Sequence, residues 1–278
     1  MTDAPIANAD QSAKWNDRPG RTWAELGDLL DRLFEPFVPL LLQEIEPVAG
    51  RRFLDIGCGA GALTLAAARR GAAGLGVDIS APLIEAARAR AERLGAAGAR
   101  FVRGDAQSHD FEAGRFDALI SRFGVMFFAD PAAALRNLRL AMRPGGRLAF
   151  VAWRSPAEND FMTAAERAVA DLLPGLPARV ADAPGQFGFA DSGRVDSILA
   201  ESGWVGVEIR PVDVQCRLTE EELGVYARRM GPVADLLPSL DEATRYEVER
   251  RLDSTFRPFL SDGEARFTAA CWMVTARA

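Results

Sequence analysis

The stretch Phe53-Leu54-Asp55-Ile56-Gly57-Cys58-Gly59-Ala60-Gly61 constrains the fold of this chain more than any other. A short apolar run ends in an acid, and three glycines then alternate with small residues. The Ala- and Leu-rich residues 62–70 follow with helical character. The order is strand, tight turn, helix. Glycine adopts backbone angles barred to other residues and lets a ligand lie against the main chain. The turn therefore reads as a nucleotide-type cofactor site at the carboxyl end of a parallel strand.

Which cofactor such a turn takes depends on charge. Gly57, Gly59 and Ala62 satisfy a loose dinucleotide fingerprint, with an acid further on at Asp78. Asp55 argues against NAD, because its carboxylate would repel the anionic pyrophosphate placed on this turn. S-adenosylmethionine instead brings a cationic sulfonium and an ammonium, which a carboxylate attracts. The bland alternative is an ordinary Gly-rich turn without a ligand. Against it stands the register of the segments that follow.

Gly74-Leu75-Gly76-Val77-Asp78 reads as a second strand whose terminal acid lies 21 residues after Gly57. An acid so placed takes both hydroxyls of a ribose. Residues 99–106 read as a third strand ending at Asp105, whose carboxylate can accept from an adenine amino group beside the backbone NH of Ala106. Residues 116–121 read as a fourth strand. A helix end, the turn Pro144-Gly145-Gly146 and a fifth strand through Val151 follow. Alternating strands and helices from 53 to 151 predict a parallel, doubly wound α/β sheet.

On these residues the chain resembles the class I S-adenosylmethionine-dependent methyltransferases, in the broad group that includes ubiquinone/menaquinone-biosynthesis-type enzymes. The resemblance is carried by residues 55–61, Gly76-Val77-Asp78, Gly104-Asp105-Ala106 and residues 138–146, and covers about residues 35–155. It implies a Rossmann-like seven-stranded sheet with the last strand antiparallel, placed between strands five and six. It also implies that Gly57 to Gly61 line the methionine part, that Asp78 binds ribose, and that Asp105 with Ala106 holds the adenine; Asp55, Cys58, Ile79 and Gln107 complete the expected cofactor-binding set. Ser121 and Arg122 would stand beside the cofactor. Arg122 departs from the smaller residue many members carry. In the family, N-terminal helices lie over the cofactor mouth, which makes Trp15 and Trp23 lid residues. The alternative is that both tryptophans anchor this segment to the core.

Bulk properties exclude several classes. A net charge of −6 and a pI of about 5.1 disfavour a nucleic-acid surface. Cys58, Cys216 and Cys271 have no metal-ligand spacing, so no metal is expected, and a reducing cytoplasm fits. Cys58 reads as a small buried filler rather than a nucleophile. The start of the chain lacks the basic and apolar regions of a signal peptide. No apolar run reaches the roughly 18 residues that span a bilayer.

Outside the cofactor motifs the chemistry is less marked. Residues 1–20 read as polar and turn-rich, residues 22–34 as a helix, and another helix starts at Phe37; together residues 1–50 make a helical lid. Residues 51–153 are the cofactor-binding core, and 154–203 a cap segment with a return helix starting near Asp191. Residues 204–278 hold strands six (204–214) and seven (265–276), with a helical insertion over 219–260. Methyl transfer needs orientation more than a sharp catalytic motif. The sole histidine, His109, is a general-base candidate but falls at the adenine end, and reads as well as a loop residue. Phe127 and Phe128 either face an apolar acceptor or pack the next helix. The expected partner is a small-molecule acceptor enclosed by 154–189 and 219–260. A homodimer contact through the 219–260 helices is the competing reading. The functional alternatives are a non-catalytic cofactor-binding protein on the same fold and, opposed by Asp55 and Asp105, a nicotinamide-dependent oxidoreductase.

Overall fold

The computed structural model describes residues 8–46 and 49–278. Residues 1–7 of the expected lid, and 47–48, lie outside the described residues.

The strands are β1 (Arg52–Ile56), β2 (Ala73–Asp78), β3 (Ala99–Arg103), β4 (Phe116–Arg122), β5 (Met142–Trp153), β6 (Val205–Thr219), β7 (Leu260–Ser261) and β8 (Glu264–Arg277). They form one sheet in the order β3-β2-β1-β4-β5-β8-β6, with the short β7 paired to β8. The first five are parallel, while β8 runs antiparallel between β5 and β6. The doubly wound sheet is thus the one the strand–helix alternation predicts, and its reversed last strand the one the family resemblance implies.

The helices are α1 (Ala9–Asn16), α2 (Arg18–Glu25), α3 (Gly27–Leu33), α4 (Phe37–Ile45), α5 (Ala62–Ala68), α6 (Ala81–Arg93), α7 (Pro131–Ala141), α8 (Asp160–Val169), α9 (Ser192–Glu201), α10 (Glu220–Arg229), α11 (Gly231–Leu236) and α12 (Glu242–Phe256). Their starts follow local chemistry. The Asp130 carboxylate accepts from Ala133 N at the head of α7, and Asp191 accepts from Gly193 N and Arg194 N at the head of α9. Thr219 and Glu222 form a reciprocal capping box on α10. Central strands β1 and β4 are buried on both faces, as a parallel sheet covered by helices requires.

Three segments differ from the sequence expectation. The stretch read as polar and turn-rich contains α1 and the first residues of α2. Helix α1 buries no residue, so no apolar periodicity announces it. The helix expected over 22–34 is divided at Leu26 into α2 and α3. Strand six runs on to Thr219, because β6 stays paired with β8 beyond the point where β5 ends opposite Cys271. That two-stranded extension carries the insertion: Phe161 of α8 stacks on Phe267 at 3.7 Å, with Phe256 and Tyr226 packed around it.

Candidate functional site

The carboxyl ends of β1, β2, β3 and β4 open into one cavity of about 560 Å³. Its floor is the glycine turn. Gly57 and Gly124 press together so closely that a Cβ on Gly57 would stand 2.5 Å from the Gly124 Cα. Ser121 makes this approach possible: its hydroxyl donates to Ile56 O (2.7 Å) and accepts from Gly124 N (3.1 Å), tying the end of β4 to the end of β1. Gly59 has φ +53° and open space where a side chain would project. Backbone here meets the cavity directly, which is the form a cofactor cradle takes.

Three carboxylates surround the cradle. Asp55 is buried and accepts from the Thr64 hydroxyl at 2.5 Å; burial raises its pKa from 3.8 to about 6. Asp78 accepts from Gly59 N and Ser80 N, each at 2.9 Å, and burial raises its pKa as well. Both of its oxygens keep lone pairs for further donors. Asp105 Oδ1 accepts from Gln107 N (3.0 Å) and from the Asn8 amide (3.4 Å), while its Oδ2 is buried without a hydrogen-bond partner among the described residues. An acceptor left bare in this way fits a ligand that brings an N–H donor. An open glycine cradle, an acid on each of the first three strands and a bare acceptor at the third suit S-adenosylmethionine. They do not suit a pyrophosphate.

Of the residues singled out from sequence, Asp55, Gly57, Cys58, Gly59, Asp78, Ile79, Asp105, Ala106, Arg122, Trp15 and Trp23 line the cavity. Gly61, Gln107 and Ser121 stand behind its wall. Gly61 abuts Phe101, and the Gln107 Oε1 accepts from Asp130 N. Cys58 is buried with Leu65, Ile84 and Phe101, and burial raises its thiol pKa, so it is an inert filler. Arg122 pairs with Asp31 of α3 (3.4 Å), which also meets Arg90 (2.5 Å). His109 packs edge-on to Phe111 outside the cavity lining. Phe127 and Phe128 both line the cavity, and Phe128 is also buried in the core. Trp15 and Trp23 do two jobs: they contact each other and Phe127 or Phe34, and they face the cavity.

Sequence reasoning missed Asn8, Gln11, Asp31 and the pair Phe123–Trp153, whose rings stack at 4.6 Å and 8°. Phe123, beside the close approach of Gly124 to Gly57, has φ +66°. The far wall comes from both insertions, through Met162, Glu166, Phe187, Tyr226 and Met230. Glu166 is engaged by Arg179 (2.6 Å), and the Tyr226 hydroxyl meets only the Met162 sulfur among the described residues (3.3 Å). No group of three or more His, Cys, Asp or Glu side chains among the described residues converges as a metal site does. Among the same residues, no helix is long and apolar enough to cross a membrane.

Residues 54–150 match the family described as methyltransferase domain. An O-methyltransferase named for nocamycin, from Saccharothrix syringae, is 32% identical over 201 residues, covering 68% of this chain and 71% of that protein. The chain belongs to the S-adenosylmethionine-dependent methyltransferases. An uncharacterised protein of Mycobacterium tuberculosis is similar to this methyltransferase over nearly its whole length, at 27% identity over 95% of each chain. Among solved structures, a phosphoethanolamine N-methyltransferase of Haemonchus contortus, bound to S-adenosylhomocysteine and phosphomonomethylethanolamine, has the same fold. It superimposes with a TM-score of 0.58 at 17% identity, covering 95% of this chain and 59% of that one.

Proposed function

We propose that the protein transfers a methyl group from S-adenosylmethionine to a small, largely apolar molecule held between the glycine turn and the two insertions. The observation that carries this reading is one cavity of about 560 Å³, walled on one side by Gly57, Asp78 and Asp105 and on the other by Phe123, Trp153, Met162, Phe187 and Met230. Its size falls within the range of small-molecule sites, roughly 300–1,000 Å³. Relatives named for the methylation of aklanonic acid and of nocamycin support a small acceptor.

The cofactor, when bound, supplies an electrophilic methyl group on a sulfonium. The chain supplies position and environment. Asp78 receives the ribose hydroxyls, and Asp105 with the Ala106 amide receives the adenine edge. Asp55 places negative charge beneath the cationic end. The stacked Phe123 and Trp153 and the methionine-rich far wall hold an apolar acceptor and exclude water, so that approach in line contributes most of the acceleration. The other carboxylates that line the cavity, Asp31, Glu166 and Asp235, are each paired with arginine. No proton transfer is therefore assigned to them. An acceptor that is acidic or nucleophilic as it arrives suits this site.

Calorimetry should show S-adenosylhomocysteine bound and NAD not bound. Incubation of a metabolite extract with methyl-labelled cofactor should yield a labelled small molecule by mass spectrometry. Tighter binding of NAD refutes the assignment. Binding of S-adenosylhomocysteine without any labelled product would favour a non-catalytic cofactor-binding protein.

A further inference from the structure

Helix α1 reaches the ribose side of the cavity through one side chain. The Asn16 amide is a two-way clasp on the loop that follows β2: its Nδ2 donates to Ile79 O (3.0 Å) and its Oδ1 accepts from Ala81 N (2.8 Å). Between those two points sits Ser80, fully buried. Its hydroxyl donates to the carbonyl of Trp15 (2.6 Å), and its N–H donates to Asp78 Oδ1 (2.9 Å). The other Asp78 oxygen is held by Gly59 N. Asn16 therefore satisfies two backbone groups of the turn that aims Asp78, and the Trp15 carbonyl satisfies its buried Ser80 hydroxyl. Gly20 allows the lid to come this close, since a Cβ there would collide with the Trp15 carbonyl and approach the Ser80 hydroxyl at 2.8 Å. An amide is suited to this task because it offers a donor and an acceptor in one plane, as a neighbouring strand would. Nothing of this clasp is visible in the cofactor motifs, which begin more than thirty residues later.

We propose that Asn16 is a positioning residue for the cofactor site: it fixes the Asp78–Ala81 turn so that the Asp78 carboxylate meets the ribose, and by the same bonds sets Trp15 over the cavity. This rests on the S-adenosylmethionine reading above. Loss of the clasp frees the turn, and the Asp78 carboxylate then spreads over orientations that miss one or both hydroxyls. The consequence is selective. A ligand with ribose hydroxyls loses affinity, and a ligand without them loses little.

The test compares wild type, Asn16→Ala, Asn16→Asp and Asp78→Ala by calorimetry with S-adenosylhomocysteine and with its 2′,3′-dideoxyribose analogue, alongside melting of the ligand-free proteins. Wild type should prefer S-adenosylhomocysteine. Asn16→Ala should bind it about tenfold more weakly, the loss of one to two net hydrogen bonds. Its affinity for the dideoxy analogue should stay within about twofold. Asn16→Asp keeps the acceptor for Ala81 N but sets a carboxylate oxygen against Ile79 O where the donor stood, a repulsion that should make its loss at least as large as that of Asn16→Ala. Equal weakening of both ligands would mean that Asn16 only holds the lid, and overturns the proposal. So does an unchanged affinity of Asn16→Ala while Asp78→Ala is impaired. If wild type binds no S-adenosylhomocysteine, the cofactor reading fails and this proposal fails with it.

Discussion

Replacing Asp55 by Asn should stabilise the free protein at neutral pH while weakening its hold on the cofactor. Asp55 is 1% exposed, and burial raises its pKa from 3.8 to about 6 against the opposing hydrogen bond from Thr64. A carboxyl group whose pKa is higher in the folded than in the unfolded chain binds its proton more tightly when folded. Its ionisation therefore lowers stability as pH rises from about 4 to about 6, and the full cost is present above that window. The difference between 3.8 and about 6 corresponds to about 3 kcal/mol. Asparagine removes the charge but buries an amide NH₂ with no acceptor built for it, a cost of about 1–2 kcal/mol. The net gain at pH 8 is about 1–2 kcal/mol, or a rise in Tm of roughly 2–6 °C for a chain of this size. At pH 4 the carboxyl is protonated in the folded wild type and the gain disappears. Thermal melting at pH 4 and pH 8, with calorimetry of S-adenosylhomocysteine at pH 8, tests both halves. A Tm difference that is the same at both pH values refutes the argument from burial. Unchanged ligand affinity refutes the view that the charge is kept for the cationic end of the cofactor.

Asp78→Ala should raise the Kd for S-adenosylhomocysteine at least about tenfold through the lost ribose contacts, with the fold retained by circular dichroism. An unchanged Kd would place the ribose elsewhere. Gly124→Ala puts a Cβ 2.5 Å from Ile56 O and 2.7 Å from the Gly57 Cα, so the turn must move; we expect destabilisation of about 2 kcal/mol or more in urea unfolding, together with loss of ligand binding. Phe161→Ala removes the ring stacked on Phe267 at 3.7 Å and should cost about 3–5 kcal/mol in the same assay. Limited proteolysis of that variant should cut first within the insertion that the ring anchors.

The cofactor half of the protein was legible in the sequence because it depends on backbone geometry and on strand ends. Only glycine serves where Gly59 meets open space at φ +53° and where Gly57 and Gly124 touch. An acid at the end of β2 or β3 is suited to accept from ribose hydroxyls or an adenine amino group. Such requirements leave fixed residue types at fixed spacings, and Asp55, Asp78 and Asp105 stand where the pattern put them. The alternation of strand and helix fixed the sheet in the same local way. Even the reversed last strand, which spacing alone cannot show, followed from the family the motifs resemble.

The rest depended on contacts between residues far apart in the chain. Helix α1 has no buried face and is held by single hydrogen bonds such as that from Asn16 to Ile79, 63 residues away, so periodicity gave no sign of it. Asp31 joins the site only because Arg90 and Arg122 arrive from α6 and β4. The methionines and aromatics of the far wall are ordinary core residues in sequence. They become a cavity wall because the β6–β8 pair runs past β5 and Phe161 docks on Phe267 there. Backbone-determined chemistry is written locally and can be read one segment at a time. A surface assembled from apolar side chains is chosen by packing, and many sequences would satisfy it equally well.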